Sequence, residues 1–172
     1  ALGGSDATLV LDDGRLRIAG DRMNRLDRNV VLGAGGGAID VAQAGNAVLI
    51  DREISGAGSL SKQGSGALFL DSTHSYTGAT DVEAGVLVVN GSIAASSMTS
   101  VLDGGLLGGT GTIGNLTVAS GGTLAPGDSI GTLTVAGDAI FEAGSKFAIE
   151  TNPAGADSDQ LTVTGIASLK GG

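Results

Sequence analysis

The chain has no cysteine, only two prolines and 2% aromatic residues, and it is short of basic charge. Without cysteine there is no disulfide framework and no thiolate metal site. So few rings leave Val, Ile, Leu, Ala and Thr to fill whatever interior the 41% hydrophobic content builds. Two prolines exclude a Pro-rich linker, and 32 glycines without a Gly-x-y period exclude collagen. Nine Lys and Arg stand against 18 Asp and Glu, a net charge of −9, which argues against a nucleic-acid partner because phosphate contacts need clustered cations. Five of the nine (Arg15, Arg17, Arg22, Arg25, Arg28) fall near the start, interleaved with Asp12, Asp13, Asp21 and Asp27, so no net basic patch is expected. No initiator Met, signal peptide or 18-residue apolar run is present. The chain is therefore expected not to span a membrane itself and to be a piece of something larger.

What remains is a sequence of short strands and tight turns. Apolar and polar residues alternate over four to seven positions and stop at Gly, Asn or Asp, which is strand spacing. The clear runs are Leu9 to Leu11, Val30 to Leu32, Ile39 to Val41, Val48 to Ile50, Leu68 to Leu70, Val86 to Val89, Leu116 to Val118, Leu133 to Val135 and Leu161 to Val163. Only Ala19 to Asp27 suggests a helical turn.

Internal repetition separates a solenoid from a sandwich. Ile113-Gly114-Asn115-Leu116-Thr117-Val118 recurs as Ile130-Gly131-Thr132-Leu133-Thr134-Val135, and Gly104-Gly105-Leu106 is echoed by Gly121-Gly122-Thr123, both 17 positions on. A related strand, Asp159-Gln160-Leu161-Thr162-Val163-Thr164-Gly165, follows a longer insertion. Stacked coils tolerate such insertions because each touches only its neighbours. At roughly 20 residues per coil the chain would form about eight rungs. The expected fold is all-β, a right-handed parallel β-helix in one domain.

Residues 30 to 91 carry a recognisable pattern. A Gly-rich turn, Gly35-Gly36-Gly37, precedes Gly56, Gly58, Leu60, Lys62, Gly64, Gly66, Leu68 and Leu70 at alternate positions. Tyr76, Thr77, Gly78, Thr80, Val82, Gly85, Leu87 and Val89 continue it. This stretch resembles the passenger-associated transport repeat of autotransporters. It departs from the family at Asp71-Ser72, where a Gly-containing turn is usual, and at His74, which takes an Asn position. Val101 to Val135, with Leu124-Ala125-Pro126-Gly127-Asp128-Ser129-Ile130-Gly131-Thr132-Leu133, is similar to the distal coils of such passengers. The expected divisions are coils 1–29, transport-repeat coils 30–91 and distal coils 92–172, the last autochaperone-like.

The resemblance implies a stalk of a virulence-associated, surface-displayed or secreted Gram-negative passenger. Its partner would be its own C-terminal translocator barrel in the outer membrane. A second reading is an adhesin whose loops, at Arg15 to Asp27, Ser92 to Ser100 and Thr151 to Ser158, bind host surface proteins. A third is the passenger part of an exported protease or esterase with its catalytic domain elsewhere.

Catalytic patterns are present and carry little. Gly109-Thr110-Gly111-Thr112-Ile113-Gly114 matches G-x-G-x-x-G, but a strand follows where the dinucleotide fingerprint needs a helix. Gly127-Asp128-Ser129 and Asp71-Ser72-Thr73-His74 resemble the GDSL-type esterase blocks, in reversed order, and His74 is the chain's one histidine. Asp12-Asp13 and Asp157 with Asp159 sit among turn formers, where Asp caps its own backbone. No catalytic, cofactor or metal site is expected, and the chain is expected not to be an enzyme.

Overall fold

Alternation of apolar and polar residues in strands of two to five residues gives each strand one buried side, and a single strand cannot bury it alone. Stacking solves this. The computed structural model describes residues 7–170 other than 21, 128 and 156. Its described residues form strands and turns without a helix, in parallel sheets wound as a β-solenoid of about seven turns.

Three faces run along the rod. One is an eight-stranded sheet from Gly14–Ile18 through Gly37–Val41, Leu60–Gln63, Thr80–Val82, Thr99–Val101, Leu116–Val118 and Ala139–Phe141 to Ala167–Leu169. We call it the long face. The second, six-stranded, runs from Ala47–Ile50 to Lys146–Phe147, with Arg25 bridging to Leu49 beneath it. We call it the middle face. The third begins as Leu9–Leu11, Val30–Leu32 and Ile54–Gly56 and resumes as Ser92–Ile93, Thr112–Ile113, Thr132–Val135 and Gln160–Val163. The bridge between Thr73 and Ser92 joins its two parts.

Inward residues stack in register. On the middle face Val48, Leu68, Leu87, Leu107, Leu124 and Phe147 form one ladder. On the long face the ladder is Leu16, Ile39, Lys62, Val82, Val101, Val118, Phe141 and Leu169. Most of these aliphatics are fully buried, each worth about 1.5–3 kcal/mol of transfer free energy. Burial fails at the last coil, where Phe147 is 43% and Leu169 78% exposed. Glycine marks the corners where coils approach closest. Gly56 has φ +113°, and a Cβ there would lie 2.1 Å from the Leu32 carbonyl oxygen. Any larger residue would push two rungs apart.

All nine expected strands form, but three expectations need correction. Leu116 and Leu133 are not equivalent rungs 17 residues apart: Leu116 pairs with Ala139 on the long face, whereas Leu133 pairs with Leu161 on the third face. Only the Gly-Gly echo marks a true rung, through Leu106 with Thr123. The helical turn at 19–27 is absent among its described residues, because Arg25 is drawn into the bridge to Leu49. Two of the three expected loops contain strands, Gly14–Ile18 in one and Ser92–Ile93 and Thr99–Val101 in the other. Thr151 to Ser158 is an excursion from the rod, closed by an antiparallel bridge between its end residues.

Candidate functional site

The polar groups that the rod has buried are the places where chemistry would be expected, and most of them bond backbone or a neighbouring side chain. Lys62 takes an inward position between Ile39 and Val82 and is fully buried. Its Nζ donates to the carbonyl oxygens of Gln63 at 2.9 Å, Gly64 at 2.8 Å and Ala84 at 3.0 Å. Three acceptors match the three N–H groups of an ammonium. Burial pulls its pKa down to about 8 against the opposing charge of Asp40, so it stays largely protonated at neutral pH. Its stem fills the ladder, and its head ties the corners of two successive coils together.

Tyr76, Thr80 and Ser96 form a second buried set. The Tyr76 hydroxyl lies 2.6 Å from Thr80 Oγ1, which lies 2.9 Å from Ser96 Oγ, and Ser96 donates to the Gly78 carbonyl at 2.9 Å. Burial raises the phenol, so it is a neutral link in this chain.

His74 is the third. Its Nδ1 accepts the Ile54 backbone N–H at 3.0 Å, standing in for a ladder carbonyl where the third face is interrupted. The imidazole must be neutral to accept, with its proton on Nε2, an atom without a hydrogen-bond partner. Burial lowers its pKa to about 4 from an ordinary 6.5, with Glu53 opposing. The unfolded chain therefore binds the extra proton first as pH falls. The stability His74 contributes is whole above about pH 6.5 and is lost toward pH 4, on the order of 3 kcal/mol in all. His74→Asn keeps an acceptor for Ile54 and cannot titrate. Urea midpoints at pH 7.5 and 4.5 should show the parent chain losing stability relative to this variant; equal losses would remove the assignment.

The esterase-like residues are not brought together. Ser129 is exposed at a turn with φ +113°, on the rung of Thr132–Val135, and Asp128 lies outside the described residues. His74 is three rungs away through the pairings of Thr73 with Ser92, Ser92 with Thr112 and Thr112 with Thr134, roughly 14 Å along the axis. In G-x-G-x-x-G, Gly109 ends one strand and Thr112–Ile113 is another, so no helix N-terminus meets a phosphate.

The paired acids serve the backbone. Asp12 Oδ1 accepts the Gly35 N–H at 2.7 Å. Asp159 is buried and accepts from Gly131 at 3.0 Å and Glu150 at 2.7 Å, anchoring the base of the excursion, while Asp157 is exposed. Among the described residues no three His, Asp or Glu side chains gather to hold a metal. Three of the early cations pair across coils, Arg15 and Arg17 with the buried Asp40 and Arg25 with Asp51, while the early Asp27 takes Arg52.

Known proteins are similar to this chain in sequence. The family model described as the passenger-associated transport repeat matches residues 60–89. An extracellular serine protease of Serratia marcescens is 42% identical over 120 residues, 70% of this chain and 11% of its own length. A Brucella suis protein named adhesin BmaC autotransporter is 53% identical over 68 residues, 38% of this chain and 2% of its own length. The chain thus corresponds to a small part of much longer relatives. No helix is long and apolar enough to cross a membrane among the described residues.

Proposed function

Because this chain belongs to the autotransporter passengers and carries their transport repeat at residues 60–89, we propose that it acts as a stalk that assists its own export. A passenger of this kind implies a linked C-terminal translocator and display or secretion by a Gram-negative cell. The observation that carries the proposal is the unbroken inward ladder of the long face from Leu16 to Leu169.

Each docked coil presents unpaired N–H and C=O groups along its three strand edges, and these template the next coil. Folding outside the membrane then opposes return of the chain through the barrel without any nucleotide. Residues 92–172, nearest the translocator in this reading, would fold first. We assign no catalysis to the chain: Lys62 is held by three carbonyls, and Ser129 and His74 are rungs apart.

A second reading, adhesion to host surface proteins, is favoured by the name of the Brucella relative. The name of the Serratia relative favours a third, in which the same rod carries an exported protease whose catalytic domain lies outside this chain.

The test is display of the full-length parent, read by protease digestion of intact cells. Leu133→Asp places a charge in the interior and should cut display by tenfold or more, whereas Thr134→Asp, one residue on and facing outward, should leave it near parental. Equal display of both variants would contradict the proposal.

A further inference from the structure

A trough of about 320 Å³ crosses the start of the long face. It exists because three successive rungs differ in the size of their outward side chains. Arg15 is followed by Ala38 and then Ser61 in one column, and at the adjoining corner Asp13 is followed by Gly36 and then Ser59. The middle rung thus supplies a methyl group and bare backbone as a floor. Asp13 and Arg15 form one wall, and Ser59, Ser61 and Gln63 form the other, two rungs or about 10 Å further along the axis. Gly36 has φ +74°, and a Cβ there would stand 2.5 Å from Ser59 Oγ, so only glycine keeps the floor open.

Part of the polar lining is already committed. Arg15 gives one N–H to Asp40, while Ser61 and Gln63 both donate to Glu83. The carboxylates of Asp12, Asp40 and Glu83 are therefore each held by donors of the protein itself. Four groups are left for a ligand. Asp13 and Ser59 are exposed, and their side chains make no hydrogen bond with other described residues. Gln63 Oε1 is an acceptor that the Glu83 carboxylate cannot engage, and Arg15 keeps N–H groups beyond the one given to Asp40.

We propose that this trough binds a neutral saccharide unit through the Asp13 carboxylate, the outer N–H groups of Arg15, the Ser59 hydroxyl and Gln63 Oε1. The lining selects that chemistry. Asp13 and Gln63 Oε1 accept from ligand hydroxyls, Arg15 donates to them and Ser59 does either, so a ligand must both donate and accept. An anion would meet the free Asp13 and a cation would meet Arg15 on the same wall, which favours a ligand without net charge. No aromatic ring lines the trough and its one apolar group is the Ala38 methyl, so an apolar ligand gains little there. The volume lies at the lower end of the roughly 300–1,000 Å³ of small-molecule sites, which suits a single sugar unit.

The probes are methyl glucoside, methyl galactoside, methyl mannoside and N-acetylglucosamine, each titrated into the isotope-labelled whole chain and followed by its amide chemical shifts. Glucuronate and glucosamine are the charged controls. At least one neutral sugar should move the amides of Gly35, Gly36, Gly37, Ala38 and Ser59 saturably and leave the distal coils unmoved. An open polar trough without a stacking ring binds weakly, with a dissociation constant of about 1 mM. Both charged sugars should bind severalfold more weakly. Ala38→Leu fills the trough from an outward strand position and should weaken binding at least tenfold, while circular dichroism and the urea midpoint stay near parental. Asp13→Gly suits the φ of +54° at that turn, removes the free carboxylate and should weaken binding severalfold. The proposal is overturned if none of the four neutral sugars gives a saturable shift, or if a charged sugar binds as tightly as the neutral ones. Binding that survives both Ala38→Leu and Asp13→Gly overturns it too. None of these outcomes touches the stalk reading, which rests on inward residues.

Discussion

Leu116→Asp should lower the stability of the chain by several kcal/mol, and Thr117→Asp beside it by no more than about 1 kcal/mol. Leu116 is fully buried, stacked between Thr99 and Ala139 on the long face. An aspartate there has no cation and no solvent within reach. It must stay ionised at a large desolvation cost or take up a proton and still leave polar oxygens among aliphatics. The substitution also removes most of the leucine's own burial, about 2 kcal/mol or more. Thr117 points outward between Ser100 and Ile140, so its replacement loses only strand propensity and a weak hydrogen bond to Met98 Sδ at 3.6 Å. Urea denaturation of both variants measures the difference. Parity between them would mean that the two side chains share one environment, which the stacked register forbids.

The second large effect is at Lys62. Lys62→Ala removes a fully buried stem and leaves the carbonyls of Gln63, Gly64 and Ala84 without their donor, so a loss of about 3–5 kcal/mol is expected. Lys62→Met refills the space without the donors and avoids burying a charge, so it should cost only about 1–2 kcal/mol. The comparison separates packing from hydrogen bonding. If Met matched or exceeded the parent, desolvating the ammonium would outweigh its three hydrogen bonds, and Lys62 would not hold the corner.

Fold class was legible in the sequence because alternation and turn chemistry act locally. Leu116-Thr117-Val118 reads as a half-buried strand whichever coil it belongs to. Rung register was not legible, because it depends on how many residues each corner consumes. Successive long-face rungs are 17 residues apart from Thr99 to Leu116 and 23 apart from Leu116 to Ala139, so a similar motif 17 residues on fell on another face. Lys62 was visible as a motif residue but not as an interior one. Alternation from Leu60 puts it inward, whereas its charge argues outward, and only the three turn carbonyls settle the contest.

The buried groups followed the same division. The Asn-to-His departure at position 74 was visible, but its acceptance of the Ile54 N–H depends on a distant strand. Which residues of Val86-Leu87-Val88-Val89 face inward was hidden, because the run is apolar at every position and alternation cannot assign its sides. The absence of a triad could be argued from block order alone, and the three-rung separation adds an independent geometric reason.

In the proposed stalk, display depends on the interior of the rod and not on any surface constellation. An aspartate scan of residues 85–141 in the full-length parent, read by surface protection, separates the two. Display should fall at Leu87, Val89, Ile93, Val101, Leu107, Ile113, Leu116, Val118, Leu124, Leu133, Val135 and Phe141, buried inward residues drawn from all three faces, with tolerance at outward residues between them. Losses gathered instead around Ser129 or any other exposed cluster, with inward positions tolerant, would contradict it.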